Sequence, residues 1–162
     1  MLWLTQPTQL LDRLWIGSAL DASHAAWVRG TAVTGIVNVT AEVPNFFSSE
    51  GVDYLNWVVR DERDANVDVR SLEVTARFID RHLNAPDKRG TVFVHCFVGR
   101  SRSVAVCCYY LITRRHYTLY EAYQEIRRKR PIAQINTRFV RALQESERRY
   151  VGHRITDGRD RN

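Results

Sequence analysis

The residues of this chain best suited to chemistry are a cysteine and an arginine six positions apart, Cys96 and Arg102. A short apolar run at residues 91–94 predicts a buried strand, and the uncharged residues 104–112 predict a buried helix. A loop that leads into a helix N-terminus points its N–H groups at one spot, where an anion is favoured. Gly99 permits close backbone approach, and Arg102 can bind two oxygens at once. Residues 97–102 are called the anion-binding loop below.

A thiol beside such a loop becomes acidic. The groups that bind an anion also stabilise a thiolate, and cysteines of this kind have pKa values lowered from about 8.5 to roughly 3.5–7.5. A thiolate beneath a tetrahedral anion is placed for in-line attack, so Cys96 predicts phosphoryl transfer through a cysteinyl-phosphate intermediate. No metal or other cofactor is expected, because the sequence shows no cysteine–histidine cluster with the spacing of metal ligands.

The same reaction needs a carboxyl group that first protonates the leaving oxygen and later activates water. The candidates lie in residues 60–67, which follow a predicted strand and lead into a predicted helix. Asp61 and Asp64 could each supply this group. An isolated acidic loop would be interpreted as ordinary surface, but the anion-binding loop makes the catalytic interpretation the preferred one.

The pattern His95-Cys96, five residues, then Arg102-Ser103 resembles the signature of the cysteine-dependent protein tyrosine phosphatase superfamily. Its context is similar to the small dual-specificity branch, and the resemblance covers residues 9–147. The flanking segments that carry it are Leu14-Trp15-Ile16-Gly17-Ser18, Gly35-Ile36-Val37-Asn38-Val39-Thr40, Thr118-Leu119-Tyr120-Glu121-Ala122, and Arg130-Pro131-Ile132 followed by Asn136 and Phe139. Two positions depart from the family, where Ile135 replaces a proline and Arg138 a glycine. Both are expected at a helix start away from the nucleophile.

This resemblance implies a role for each residue of the signature. Cys96 is the nucleophile, Ser103 donates a hydrogen bond to its sulfur, and His95 orients the loop and supports the thiolate. The phosphate is bound by the side chain of Arg102 and by loop N–H groups, and the residues concerned are Phe97, Val98, Gly99, Arg100, Ser101 and Arg102.

Three further expectations come from the resemblance. Asp61 is the preferred general acid and base, because Asn66-Val67 downstream resembles a pair that follows the family's acid; Asp64 stays the alternative. Ser101 is expected to cap the following helix. Arg100 is expected to face the mouth of the site and to favour substrates that carry a second anionic group.

The elements around this site alternate between strands and helices. Strands are predicted at residues 14–16, 33–39, 52–59 and 91–94, and helices at 23–29, 104–112 and from 69, 118 and 136 onward. This alternation predicts an α/β fold with a central, mostly parallel twisted sheet flanked by helices on both faces, similar to protein tyrosine phosphatases. A single catalytic domain is expected over residues 1–151, followed by a polar tail at 152–162.

Composition narrows the function classes. No run approaches the ~20 apolar residues of a membrane span, and no signal peptide is expected, so the predicted location is the cytoplasm, with the nucleus as a further compartment. Three cysteines, two of them adjacent at 107 and 108, indicate buried thiols in a reducing compartment. The net charge of +6 is carried by late arginine clusters at residues 114–115, 127–130 and 148–149. They are interpreted as solvated helix faces, and nucleic acid is not an expected partner, because no aromatic residues alternate with these arginines.

The predicted function is hydrolysis of phosphotyrosine and of phosphoserine or phosphothreonine in proteins, by a dual-specificity phosphatase. Phosphoinositides, RNA 5′ ends and sugar phosphates remain alternative substrates, and a phosphate-binding module without turnover is the alternative from another class. The expected partner is a phosphorylated protein, and the oligomeric state is left open.

Overall fold

A mostly parallel sheet forms the centre of the computed structural model, which describes residues 6–59, 67–87 and 89–152. Its strands are β1 (Thr8–Leu11), β2 (Leu14–Gly17), β3 (Gly35–Asn38), β4 (Asp53–Asn56) and β5 (Val92–His95), and their order in the sheet is β1-β2-β5-β3-β4. β2, β5, β3 and β4 run parallel, while β1 pairs antiparallel at one edge. The predicted fold class is confirmed.

Side chains alternate along these strands and build two cores, as the period of two in a β-strand requires. In β5, Val92 and Val94 enter the larger core, whereas Phe93 enters the smaller one. In β3, Val37 and Ile36 are divided in the same way. Both faces of the sheet are therefore buried, as expected of a parallel sheet.

Helices cover both faces. The smaller core lies under α1 (Ala19–Ala22) and α2 (Ala25–Gly30). The larger core lies under α3 (Val69–Leu83), α4 (Arg102–Arg115), α5 (Leu119–Lys129) and α6 (Thr137–Tyr150), and α4 is buried from Arg102 to Thr113. Among the residues that the structure describes, no helix combines the length and apolar character needed to cross a membrane.

The local signals predicted most of these boundaries. Thr118 and Glu121 form the predicted capping box of α5, and the Asn136 side chain caps α6. The helix predicted at residues 23–29 is found as α2, shifted to Ala25–Gly30. The short helix α1 before it, which Ser18 and Asp21 begin with a capping box, was not predicted. The strands predicted at 33–39 and 52–59 are shorter than expected, and β1 was not predicted at all.

The arginine clusters are only partly solvated, so this prediction was wrong for two of their members. Arg114 reaches α3, where it binds Glu73 and Asp80, and its side chain is only 19% exposed. Arg130 is completely buried, at 0% exposure. Both lie at helix ends that pack against other parts of the chain, whereas Arg127, Arg128, Arg148 and Arg149 are exposed as expected.

The register of the sheet places the end of β5 at the site. Gly17, His95 and Asn38 are neighbours in one row across β2, β5 and β3. Cys96 follows directly, so it lies between two parallel strands at the carboxyl edge of the sheet, which is where α/β folds bind ligands.

Candidate active site

Cys96 lies at the base of the anion-binding loop. It is 3% exposed, and its Sγ accepts a hydrogen bond from the Gly99 N–H at 3.2 Å. The Ser103 hydroxyl lies 3.3 Å from the same sulfur. Ser103 is in the first turn of α4, so the strand, the loop and the helix together enclose one thiol.

The surroundings of this thiol make it acidic. Burial raises the pKa of Cys96, but the Ser103 hydroxyl, the backbone N–H groups of Ser103 and Arg100, and the charge of Arg102 outweigh burial. The pKa of Cys96 is therefore lower than its ordinary value. By contrast, burial raises the pKa of Cys107 and Cys108, which are fully buried core thiols as predicted.

The loop itself is half exposed and tightly turned. Phe97 and Val98 are 56% and 47% exposed, while Gly99 is buried with a positive φ of 73°. A Cβ at Gly99 would overlap the Gly17 carbonyl oxygen and the Arg130 guanidinium, so no larger residue fits. The Phe97 carbonyl accepts a hydrogen bond from the Ala19 N–H at 3.0 Å, which ties the loop to α1.

A late segment, residues 130–136, holds the loop from its other side. The Gln134 N–H donates to the Arg100 carbonyl at 2.8 Å, and the Arg100 guanidinium donates to the Gln134 side chain. The Asn136 N–H donates to the Ser101 hydroxyl at 3.0 Å. Ser101 occupies the N-cap position of α4 but makes no side-chain cap bond, so the prediction that it caps this helix was wrong.

The late segment also corrects the expectation for Ile135. This residue lines a cleft of about 690 Å³ together with Cys96 and Arg102, so it does not lie away from the nucleophile. Arg138, the second residue of α6, lies over the Phe139 ring at 4.5 Å.

Arg102 is held at the site by two contacts that the sequence did not predict. Its Nη2 donates to Glu42 at 3.3 Å, and its Nη1 donates to the Val59 carbonyl at 3.2 Å. The guanidinium is 9% exposed and the Glu42 carboxylate 49% exposed. Burial raises the pKa of Glu42, but hydrogen bonds from its own N–H and that of Ala41, together with the charge of Arg102, outweigh burial. The pKa of Glu42 is therefore below its ordinary value, and the carboxylate is ionised.

His95 lies next to the nucleophile and is neutral. It is fully buried, its ring stacks on Phe93, and its Nδ1 is 3.4 Å from the Cys96 carbonyl oxygen. Its Nε2 has no hydrogen-bond partner among the residues that the structure describes. Burial, with a smaller contribution from the charge of Arg102, lowers the pKa of His95 to about 4.

The candidate general acids, Asp61 and Asp64, lie outside the described residues. The described chain stops at Val59, whose carbonyl oxygen already contacts Arg102. In the described ranges, no group of three metal-ligating side chains is found. The geometry brings together an acidic thiol, backbone N–H groups, a hydroxyl and a guanidinium at one cleft, and this set can bind a phosphate and attack it.

Comparisons with known proteins agree with this chemistry. The family model described as "Dual specificity phosphatase, catalytic domain" matches residues 14–149. Dual specificity protein phosphatase 1 of Arabidopsis thaliana is 34% identical over 144 residues, which are 88% of this chain and 69% of that protein. Dual specificity protein phosphatase 9 of Homo sapiens is 34% identical over 143 residues, 88% of this chain, but the match spans only 36% of that protein.

A solved structure resembles the whole described fold. The crystal structure of human DUSP28 superimposes with a TM-score of 0.80 and is 31% identical in sequence. The match covers 88% of this chain and 93% of that chain.

Proposed function

Since this chain belongs to the family of dual specificity phosphatase catalytic domains, we propose that it hydrolyses phosphotyrosine and phosphoserine or phosphothreonine in proteins. The observation that supports this most is the Cys96 thiol, whose pKa is lowered beneath the N–H groups of the loop. A buried thiol without such N–H groups around it has a raised pKa, as Cys108 in α4 does.

In the first step, the Cys96 thiolate attacks the phosphorus of the substrate. A sulfur–phosphorus bond forms while the bond from phosphorus to the leaving oxygen breaks, and Asp61 gives that oxygen its proton. Arg102 and the loop N–H groups bind the non-bridging oxygens, where charge is concentrated in the transition state.

In the second step, a water molecule attacks the phosphocysteine. Asp61, now a carboxylate, accepts the proton of the water, the sulfur–phosphorus bond breaks, and inorganic phosphate leaves. The Ser103 hydroxyl, 3.3 Å from the sulfur, donates to the departing thiolate and lowers its energy. His95 stays neutral and supports the loop by packing.

Arg100 supports a preference for substrates with a second anionic group. Its side chain borders both the cleft of Cys96 and a neighbouring cleft of about 510 Å³, which is also lined by Arg127. Attraction between unlike charges in such a setting reaches a few kcal/mol at an effective dielectric of ~20. An acidic or phosphorylated residue next to the target residue would gain this attraction.

We also propose a phosphorylated protein as the partner and the cytoplasm, with the nucleus as a further compartment, as the location. All three cysteines are free thiols, which suits a reducing compartment.

The test is kcat/KM on matched phosphotyrosine and phosphothreonine peptides, each with and without a second phosphate, at two salt concentrations. Both residues should be hydrolysed, and low salt should favour the doubly phosphorylated peptides. Arg100→Ala should reduce that preference mainly through KM, whereas Arg128→Ala, on the far side of α5, should not. Phosphoinositides and 5′-phosphorylated RNA serve as competing substrates.

Three results would contradict parts of this proposal. Faster hydrolysis of a phosphoinositide or RNA than of any peptide would replace the substrate class. Phosphate binding without turnover would indicate a binding module. Activity on phosphotyrosine alone would remove the dual specificity.

A further inference from the structure

A buried arginine lies behind the anion-binding loop, on the side away from the cleft. Arg130 follows α5 directly and is 0% exposed. Its Nε donates to the Gly99 carbonyl at 2.7 Å, and its Nη2 has a longer contact of 3.4 Å with the Val98 carbonyl. On its other side, Nη1 donates to the Thr8 hydroxyl in β1 at 3.1 Å. The guanidinium therefore links the loop to the edge strand.

Peptide geometry connects these carbonyls with the sulfur of Cys96. In a planar trans peptide unit, the C=O and the N–H point in opposite directions. The Val98 carbonyl shares a unit with the Gly99 N–H, and that N–H donates to Cys96 Sγ at 3.2 Å. The Gly99 carbonyl shares a unit with the Arg100 N–H, which acts on the same sulfur and lowers the pKa of Cys96. Each carbonyl that Arg130 holds behind the loop thus turns one N–H toward the thiol.

We propose that Arg130 is a positioning residue: by binding two successive loop carbonyls, it holds the Gly99 and Arg100 N–H groups toward Cys96 and toward a phosphate above it. This inference rests on the proposed function of the loop. The planar fork of a guanidinium suits the task, because its donors lie in one plane and can serve two carbonyls at fixed separation.

The competing explanation is that Arg130 acts through its charge alone or only joins β1 to the loop. The charge does act on Cys96, and on Cys107 and Asp21 as well. Among the described residues, the other charged or titratable groups that act on the Cys96 thiol are Arg102 and the buried Cys107, both from α4. A test must therefore separate the orientation of N–H groups from charge and from stability.

Four variants make this separation. Arg130→Met removes the charge and the fork, whereas Arg130→Lys keeps the charge but offers a single ammonium that cannot span both carbonyls. Arg128→Met is the matched control, two residues away on the exposed face of α5. Thr8→Val removes only the contact with β1 and tests the structural explanation.

The first measurement is the rate of Cys96 alkylation by iodoacetamide from pH 4 to 9, with the modified residue identified by mass spectrometry. It reports the thiolate directly and needs no turnover. We expect Arg130→Met and Arg130→Lys to be alkylated about tenfold more slowly at pH values below the midpoint of the parent profile, the change that one pKa unit produces there. Arg128→Met and Thr8→Val should match the parent protein. The second measurement is affinity for tungstate, an anion shaped like phosphate, which should weaken about tenfold in the same two variants.

Two results would overturn the proposal. If Arg130→Lys keeps the parent alkylation profile and tungstate affinity, charge alone is sufficient and the fork is not needed. If Thr8→Val reproduces the loss seen with Arg130→Met, the link to β1 is the cause. Should Arg130→Met fail to fold, the lysine and valine variants decide the question. Absence of peptide hydrolysis in the parent protein would refute the proposed function but leave both measurements interpretable.

Discussion

Helix α4 begins with Arg102 and carries Arg114 near its C-terminal end, and these two arginines have different surroundings. Near its C-terminal end, Arg114 donates to Asp80 at 2.6 Å and to Glu73 at 2.7 Å, and Tyr109 also donates to Glu73. At its first residue, Arg102 has one carboxylate contact of 3.3 Å, with Glu42, and one backbone carbonyl. The same residue type is neutralised at one end and only partly neutralised at the other.

The difference indicates which end is built for structure and which for chemistry. Two carboxylates around Arg114 leave no net positive charge, and they fasten α4 to α3. At the N-terminal end, the partial positive charge of the helix and the loop N–H groups add to Arg102 instead of cancelling it. The N-terminal end of α4 therefore keeps a positive potential, which favours the binding of a phosphate.

The largest expected effect is the loss of turnover when the nucleophile at the N-terminal end of α4 is replaced. Cys96→Ser should abolish turnover, because a serine hydroxyl lacks the low pKa of this thiol and has no adjacent base. The thermal midpoint should change by less than about 2 °C, since the side chains are close in size. Steady-state kinetics and thermal unfolding on one preparation measure both. Appreciable activity in Cys96→Ser would refute the phosphocysteine mechanism.

The next largest effect is expected when the proposed general acid, Asp61, is replaced. Asp61→Ala should lower kcat by roughly the 10²–10⁴-fold typical of a general acid–base residue. The loss should be smallest for aryl phosphates with good leaving groups, which hardly need a proton. Asp64→Ala is the matched control and should cost little. Exchanged results would assign the acid to Asp64.

The strand–loop–helix unit that contains Cys96 could be predicted from the sequence, because its signals are local. The apolar run of β5, the loop glycine and the uncharged helix are contiguous, so periodicity and spacing were sufficient. β1 was not predicted, because the signals that make it a strand are not local. Of its four residues only Leu10 is buried, and its pairing with β2 decides that it is a strand.

The residues that contact the anion-binding loop could not be predicted, because they lie at distant positions in the sequence. Glu42 contacts Arg102 across 60 residues, and Arg130 contacts Gly99 across 31. Nothing local distinguishes Glu42 from other loop acids or Arg130 from the exposed Arg127 and Arg128. Their contacts depend on how α5 and the loop after β3 are packed, which a single sequence does not show.

A smaller effect tests the structural end. Arg114→Met should lower the free energy of unfolding by about 2 kcal/mol, below the range for fully buried pairs because the site is partly hydrated. The thermal midpoint should fall by roughly 4–8 °C. At 20 °C, kcat/KM should remain that of the parent protein. Arg128→Met, which breaks an exposed pair with Glu125, should change neither quantity. A drop in kcat/KM for Arg114→Met without partial unfolding would mean that the two ends of α4 are coupled.

The last effect separates the two ends of α4 by the pH dependence of stability. Burial lowers the folded-state pKa of His95 to about 4, below its ordinary 6.5. Between these values the unfolded chain binds a proton that the native site does not. Stability from His95 is therefore present above about pH 6.5 and is lost as the pH falls toward 4, by roughly 3 kcal/mol.

Glu73 contributes in a different pH range. Burial raises its pKa, but hydrogen bonds from Arg114, Arg77 and Tyr109 outweigh burial, and its pKa lies below the ordinary 4.5. Stability from Glu73 is thus lost only below pH 4.5. Urea unfolding at half-unit intervals from pH 7 to 3.5 should show His95→Asn flattening the slope between 6.5 and 4.5, and Arg114→Met flattening it below 4.5. Only slopes are compared, because the asparagine variant also loses packing against Phe93. An unchanged slope between pH 6.5 and 4.5 in His95→Asn would mean that this histidine is protonated in the native protein, and that the site carries a second cation beside Arg102.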